Sequence, residues 1–565
     1  MEARDEADRK LGMSHGMRHV VACAALVLLT VGVFSSALEN EFVNFDDWPL
    51  IENNGAIRSL SWPTVGRAFT HLNNDTWLPL RMLSYAVDYE VWGLNAFGYH
   101  LTNIALHSAN VVLVYAVLLR LVGGAPLAWL GAALFAVHPV QVEAVSWAAG
   151  RRDVLYGCFF LWSLLAFLWY EEGRRWRRGA YVASVLLFAA AMLSKASGMM
   201  LPAVLGLIVL LSRDEKGTAV WRRLRVCVPH GLVAAAMVAV HFHVAQQAGV
   251  VKPTALGQRV ASMPWAFATY WRLLFLPVHL STPHARPPVS WADEFGVAVA
   301  SLAAFVAVLA LVWWSAPLRR TAVLWLGWWF LLLLPVSQII PLSMLVAERY
   351  LYMPIVGACA FGAALLGDLA KARRRLVVAC AVAVLALMAV TTHARNRVWA
   401  NSREFWHDGV AKWPGAPVPR IGLAAVYIEN GSPLRAWRLY MDVLLPGGTA
   451  WSERDEHRSL VRQGMLMTYD RVGRRLERRG RSDEALAVYE RTASVWPRRV
   501  DVHARLAEAY ERRGMREAAH TQVARARGLY EEQRENGDEA FRTLVQRYPW
   551  VDGWMKRREG GPVLR

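Results

Sequence analysis

Residues 153–178 read DVLYGCFFLWSLLAFLWYEEGRRWRR: an apolar run, 153–170, closed by Arg174, Arg175, Arg177 and Arg178. A helix that crosses a bilayer needs about 20 mostly apolar residues, and Lys and Arg collect on the cytoplasmic side because they resist translocation. The same pattern recurs in both directions along the chain. Candidate spans lie near 18–38, 101–121, 125–142, 153–170, 179–194, 198–213, 226–246, 296–315, 321–341, 346–366 and 375–393. Basic clusters at 174–178, 213–225, 316–320 and 368–375 fall between them. About eleven spans with every cluster cytoplasmic put the N-terminus inside and the C-terminal part outside. One apolar segment, 261–280, would upset this order if it crossed. Its Trp265, Tyr270, Trp271 and His279 suit a helix lying in the outer interface instead.

The composition agrees. Of 565 residues 55% are hydrophobic, above the soluble norm of about 45–50%. Yet 19% are charged, so an apolar N-terminal part is joined to a polar C-terminal one. The net charge of +18 sits in inter-span clusters and on C-terminal helix faces, which argues against nucleic acid as a partner and for membrane lipid. Cys23, Cys158, Cys227, Cys359 and Cys380 all lie in apolar runs without CxxC pairing, so neither a disulfide framework nor a zinc site is expected. The first run, 18–38, lacks a small-residue cleavage site and reads as an uncleaved anchor.

After Arg395 the character changes. The tetrad ERRG occurs at 477–480 and at 511–514, 34 residues apart, which is the tetratricopeptide period. Pro414 to Gly431 and Pro497 to Gly514 share a spacing of 17. Each unit reads as a helical hairpin with Gly at its turn and Pro starting the next helix. The expected fold is therefore all-α: a polytopic bundle over 18–395 with an outside loop 39–100, then repeats over 396–552 and a tail, 553–565.

Ionisable residues gather at the outside ends of the spans. Asp46 and Asp47 follow the first span, and either cap a short helix or supply a general base or cation ligand at the membrane surface. His138 and Glu143 end the third span, and Arg151, Arg152 and Asp153 open the fourth. They form a local ion pair or a cationic pocket for phosphate. Lys195 lies between two apolar runs, either snorkelling or serving a site. Glu348 and Arg349 start a span, and His284 sits in a Pro-rich loop that could form a site rim. There is no Walker loop, GxSxG or HExxH, so the energy of any reaction should arrive in the substrate.

Six stretches in order carry a resemblance: FVNFDD (42–47), WLPLRMLSYAVDYEVWGLNAFGYHLTNIALH (77–107), LFAVHPVQVEAVSWAAGRRDVL (134–155), AMLSK (191–195), LLPVSQIIPLSMLVAERYLYMPIVG (333–357) and RNRVWANSREFWHDGVAKWP (395–414). With the repeats after them, the chain resembles the transmembrane tetratricopeptide-repeat protein O-mannosyltransferases of the GT-C class, and more closely their bacterial relatives. The resemblance implies an inner-membrane enzyme that takes a sugar, mannose first, from a polyprenyl-phosphate carrier. It implies Asp46 as the base that deprotonates an acceptor hydroxyl and Asp47 as the residue that orients acceptor or loop. Lys195, Arg349 and Arg151 or Arg152 would hold the donor phosphate. The repeats would hold an acceptor polypeptide. The lipid-linked sugar is a substrate and no cofactor is implied, although the Asp46–Asp47 pair could take a divalent cation. Where eukaryotic members carry Arg-Pro-Leu, this chain has Leu78-Pro79-Leu80. A non-catalytic scaffold that displays the repeats, and transfer to a lipid or polysaccharide acceptor, are the alternatives.

Overall fold

The computed structural model describes residues 14–72, 76–173, 175–212, 219–247, 256–284, 316–337, 344–444 and 455–535, with a few isolated positions besides. Among these the regular structure is helical and no strand forms. The chain divides into two compact units, Met1–Lys412 and Trp413–Arg565. Residues 396–412, assigned from sequence to the repeats, fall in the first unit.

Among the described residues of the first unit five helices are long and apolar enough to cross a membrane, and a sixth if one bent pair counts as a single span. Their outer faces carry apolar side chains such as Leu28, Leu232 and Leu387, each at least 67% exposed, as lipid-facing surfaces do. Several of the eleven candidate segments do not each form one long straight helix. The run 125–142 breaks at Pro139: helix Ala125–Val137 stops at His138, whose extended backbone is the conformation a following proline favours, and the chain bends by 52°. The run 198–213 forms only the short helix Leu201–Leu211, and 296–315 lies outside the described residues.

The runs 346–366 and 375–393 are joined as Pro354–Asn396, with non-helical backbone at Arg373. Forty-three residues would reach about 65 Å as one rod, twice a hydrocarbon core. The contacts show a reversal instead. Gly367 packs against Leu127, near the start of Ala125–Val137, and Gly131 packs against Ala360. Thr392 then donates to the carbonyl of Val137 at the far end of that same helix. The two legs therefore run antiparallel, with the basic cluster at the turn.

Buried polar side chains lock the bundle. Asn103, His107 and Asn110 lie on one face of helix Ala96–Leu118. Asn103 donates to the Trp147 carbonyl (2.8 Å), while Asn110 donates to the Val154 carbonyl and to the Tyr352 hydroxyl (both 2.8 Å). Ser163 and Ser184 exchange hydroxyl-to-carbonyl bonds of 2.7 and 2.8 Å, so small residues bring helices Arg151–Glu171 and Arg177–Ser194 together.

Among the described residues the second unit is a stack of three helical hairpins: Pro417–Glu429 with Pro433–Leu444, Asp455–Glu477 with Ser482–Val495, and Val500–Arg512 with Arg516–Glu535. Gly431, Gly480 and Gly514 sit at the three turns with φ of 65°, 71° and 72°, the left-handed conformation that glycine accepts most readily. The helices after Pro414 and Pro497 begin three residues later than expected, at Pro417 and Val500. Buried Tyr440, Tyr469, Tyr489 and Leu506 form the core between hairpins.

Candidate active site

The end of the bundle where the first helix finishes is also where the hairpin Pro354–Asn396 returns: Asn396 donates to the Val33 carbonyl (2.9 Å) and accepts from the Ser146 hydroxyl (2.7 Å). Residues 40–47 leave the first helix there and are held from both sides. The Glu41 amide donates to the Ala400 carbonyl (2.8 Å), the Asn44 amide to the Ser402 hydroxyl (2.8 Å), and Trp406 to the Asn44 side chain (2.6 Å).

The two adjacent aspartates separate in this setting. Asp47 is fully buried. Its Oδ2 accepts from the Val43 amide (2.9 Å) and its Oδ1 from the Ala149 amide (2.8 Å), so it ties the loop to the turn before Arg151. Burial pushes its carboxyl up to about 8, against those two bonds. Asp46 is half-buried, and no side-chain hydrogen bond or ion pair falls on its carboxylate among the described residues. Its charge acts on the guanidiniums of both Arg81 and Arg349.

Three cations gather around Tyr350 and Asp153, and Asp46 acts on the charge of one of them, Arg349. Lys195 pairs with Asp153 Oδ1 and stands 5.3 and 5.5 Å from the ring centroids of Tyr156 and Tyr350. Burial lowers its pKa, and Asp153 opposes that shift. Arg152 is 3.7 Å from Asp153 Oδ2, too long for a hydrogen bond. Arg349 pairs with buried Glu143 and also donates its backbone amide to that carboxylate (2.8 Å). Its guanidinium stacks over Trp147 at 5.3 Å and Tyr350 at 5.4 Å. Burial disfavours its charge, but Glu143, with Tyr350, Asp153 and Asp46, holds its pKa above the ordinary value.

The other sequence candidates are placed differently. Arg151 is fully buried and its donors are taken by Asp88 (2.5 Å), Asn103 (2.5 Å) and the Tyr99 carbonyl (2.9 Å), so it fastens helices together. His138 caps its own turn: Nδ1 accepts from the Val140 amide (3.3 Å) and Nε2 faces the Leu274 carbonyl (3.0 Å), which assigns the proton to Nε2. Glu348 is buried, accepting from the Ser281 amide (2.5 Å) and lying 3.2 Å from His284 Nε2. That pair pins the 280–284 loop beside Arg349. Arg286, in the same Pro-rich segment, lies outside the described residues. No group of three or more His, Cys, Asp or Glu converges on one point among the described residues. At the aspartate pair both Asp47 oxygens are already engaged.

Sequence reasoning overlooked Arg81. It is buried within one helical turn of Leu78, donates to the Thr76 hydroxyl (2.8 Å), and is pulled down to about 10 by burial. The departure at Leu78 was the available signal: an arginine displaced by three positions returns to the same helix face.

Comparison with curated proteins fits this arrangement. The chain is 25% identical over 462 residues to protein O-mannosyl-transferase F38B6.6 of Caenorhabditis elegans, covering 78% of this chain and 64% of that one. It is 25% identical over 496 residues to protein O-mannosyl-transferase TMTC4 of Homo sapiens, covering 74% and 65%. These relatives are protein O-mannosyl-transferases. A third, Tmtc1 of Drosophila melanogaster, is 32% identical over 221 residues, covering 36% of this chain and 25% of that one. The chain thus spans less than two thirds of the length of these curated relatives. No family model matches it, and no solved structure does.

Proposed function

We propose that the membrane unit moves a sugar, mannose first, from a polyprenyl-phosphate carrier to a Ser or Thr hydroxyl of a polypeptide at the outer membrane face. The observation that carries this is the half-buried Asp46 carboxylate, without a hydrogen bond or ion pair among the described residues, whose charge reaches Arg349, itself grouped with Lys195 and Arg152 around Tyr350 and Asp153. Mannose and a protein acceptor come from what the relatives are named for. The outer face comes from the basic clusters, including the one at the Arg373 reversal, which belong at the opposite end of the bundle.

In this reading the acceptor oxygen attacks the anomeric carbon from the face opposite the phosphate. The carbon–oxygen bond to phosphate breaks with inversion, its electron pair leaves on the phosphate, and the acceptor proton passes to Asp46. Arg152 and Lys195 meet the charge that grows on the leaving phosphate, and Arg349 adds its field from the Glu143 pair. Asp47 positions the loop that carries the base. Arg151 stands outside this set because its donors serve the fold.

The test is reconstitution in liposomes with radiolabelled polyprenyl-phosphate mannose and a cell-envelope acceptor fraction. Label in protein, dependent on the enzyme and released by alkaline β-elimination as an O-glycosidic link to Ser or Thr is, is expected. Label confined to lipid or polysaccharide would move the acceptor class. No transfer from mannose or glucose carriers by folded protein would favour the scaffold.

A further inference from the structure

The second unit contains a cleft of about 470 Å³ with an unusual charge. It is lined by the first helices of three successive hairpins together with the Gly431 turn and Pro433, which opens the second helix of the first hairpin. Five of its nine lining residues are Arg471, Arg474, Arg475, Arg478 and Arg505, against one acid, Asp470. Asp470 is already held by Arg474 (3.1 Å) and Arg505 (2.8 Å). Arg475 donates to the Gly431 carbonyl and Arg478 to the Arg474 carbonyl. Among the described residues no carboxylate pairs with Arg471, Arg475 or Arg478.

The rest of the unit shows what a merely solvated basic face looks like here. Arg481 pairs with Glu484, Arg498 with Glu532, Arg512 with Glu477 and Arg527 with Glu531. Several arginines outside the cleft thus carry a carboxylate partner, whereas Arg471, Arg475 and Arg478 inside it carry none among the described residues. An excess of positive charge held in a concave, low-dielectric-walled groove focuses its field and draws an anionic partner.

We propose that this cleft docks an acidic polypeptide segment. Arg471, Arg474, Arg475 and Arg478 repeat at i, i+3, i+4 and i+7, one face of helix Asp455–Glu477 and its end, extending about 10 Å. Alternate side chains of an extended peptide are about 7 Å apart, so two carboxylates on one side of a strand can meet this row bidentately. Ile428 and Pro433 form an apolar wall that suits the stems and small side chains between them. A bilayer of anionic lipid offers the same charge but is flat, and cannot follow arginines into a groove walled by a neighbouring hairpin. Binding does not rest on the proposed transfer; only the identity of the segment as an acceptor's rests on that reading.

The experiment uses the full chain in phosphatidylcholine nanodiscs and fluorescence anisotropy with a labelled peptide of alternating Glu and Ala. A peptide of about twelve residues is long enough, at ~3.4 Å each, to cross the cleft. Saturable binding is expected, falling steeply with salt, and absent for a Gln-for-Glu peptide. Arg471→Glu with Arg478→Glu should weaken it at least about tenfold, while Arg498→Glu with Arg527→Glu, the same charge change outside the cleft, leaves it within about twofold. Helicity by circular dichroism verifies folding of both variants. Absence of binding, equal binding of the Gln peptide, or equal loss in both double variants overturns the proposal. Capture by phosphatidylglycerol vesicles that only the cleft variant loses, without peptide binding, assigns the cleft to lipid instead.

Discussion

Replacing Arg151 by Leu separates a structural arginine from a phosphate-binding one. Its guanidinium is fully buried and meets the Asp88 carboxylate at 2.5 Å, with further bonds to Asn103 and the Tyr99 carbonyl. Removing it strands Asp88, which is itself only 3% exposed. Breaking one side of such a buried pair costs about 3–5 kcal/mol, roughly two to three and a half orders of magnitude in the folded ratio. Arg151→Leu with Asp88→Leu removes both charges, so the second substitution should restore much of that loss and leave about 1–2 kcal/mol for the Asn103 and Tyr99 bonds. Thermal unfolding in detergent, followed by tryptophan fluorescence and size-exclusion profile, reads these differences. The double variant should melt above Arg151→Leu. If Arg151→Leu melts like wild type and raises KM for the lipid-linked donor, Arg151 faces substrate and its assignment to the fold is refuted.

Asp47 makes stability depend on pH. Its folded pKa, about 8, lies above its unfolded value of about 3.9, so the folded state holds the proton more tightly. That contribution is full below about pH 4 and is lost as pH rises through 8, and Asp47→Asn should flatten the fall in melting temperature over that range. Lys195 titrates below an ordinary lysine because of its burial. The alkaline limb of kcat/KM should therefore appear early, and Lys195→Gln should abolish that limb while raising donor KM. Gly514 sits at φ 72°, so Gly514→Ala costs about 1–2 kcal/mol. Hydrogen exchange of 500–535 should quicken while exchange in the first unit stays unchanged.

The bundle was legible wherever sequence sets physics directly. Apolar length and basic breaks give the legs on either side of Arg373, and the glycine period gives the repeat turns, because only a left-handed residue closes each hairpin. Which neighbour serves the site was not legible. Arg151 and Arg152 are adjacent, yet successive helical residues point about 100° apart, so one turns to Asp88 and the other to Asp153. Asp46 and Asp47 divide in the same way, one toward the Val43 and Ala149 amides and one away. Pairings such as Glu143 with Arg349, 206 residues apart, depend on packing that no local pattern encodes. Residues 396–412 looked like the start of the repeats because Trp413-Pro414 completes a repeat signature, but their contacts with the first loop place them in the membrane unit.

The central claim is that Asp46 is the base, and Asp46→Asn tests it most directly. Transfer from polyprenyl-phosphate mannose would be measured beside donor binding and thermal stability. Asn removes the proton acceptor at nearly constant shape, and among the described residues no hydrogen bond or ion pair to the Asp46 carboxylate would be lost. Transfer should fall by about 10²–10⁴-fold, with donor binding and melting temperature unchanged. Transfer at the wild-type rate by the Asn variant would contradict it.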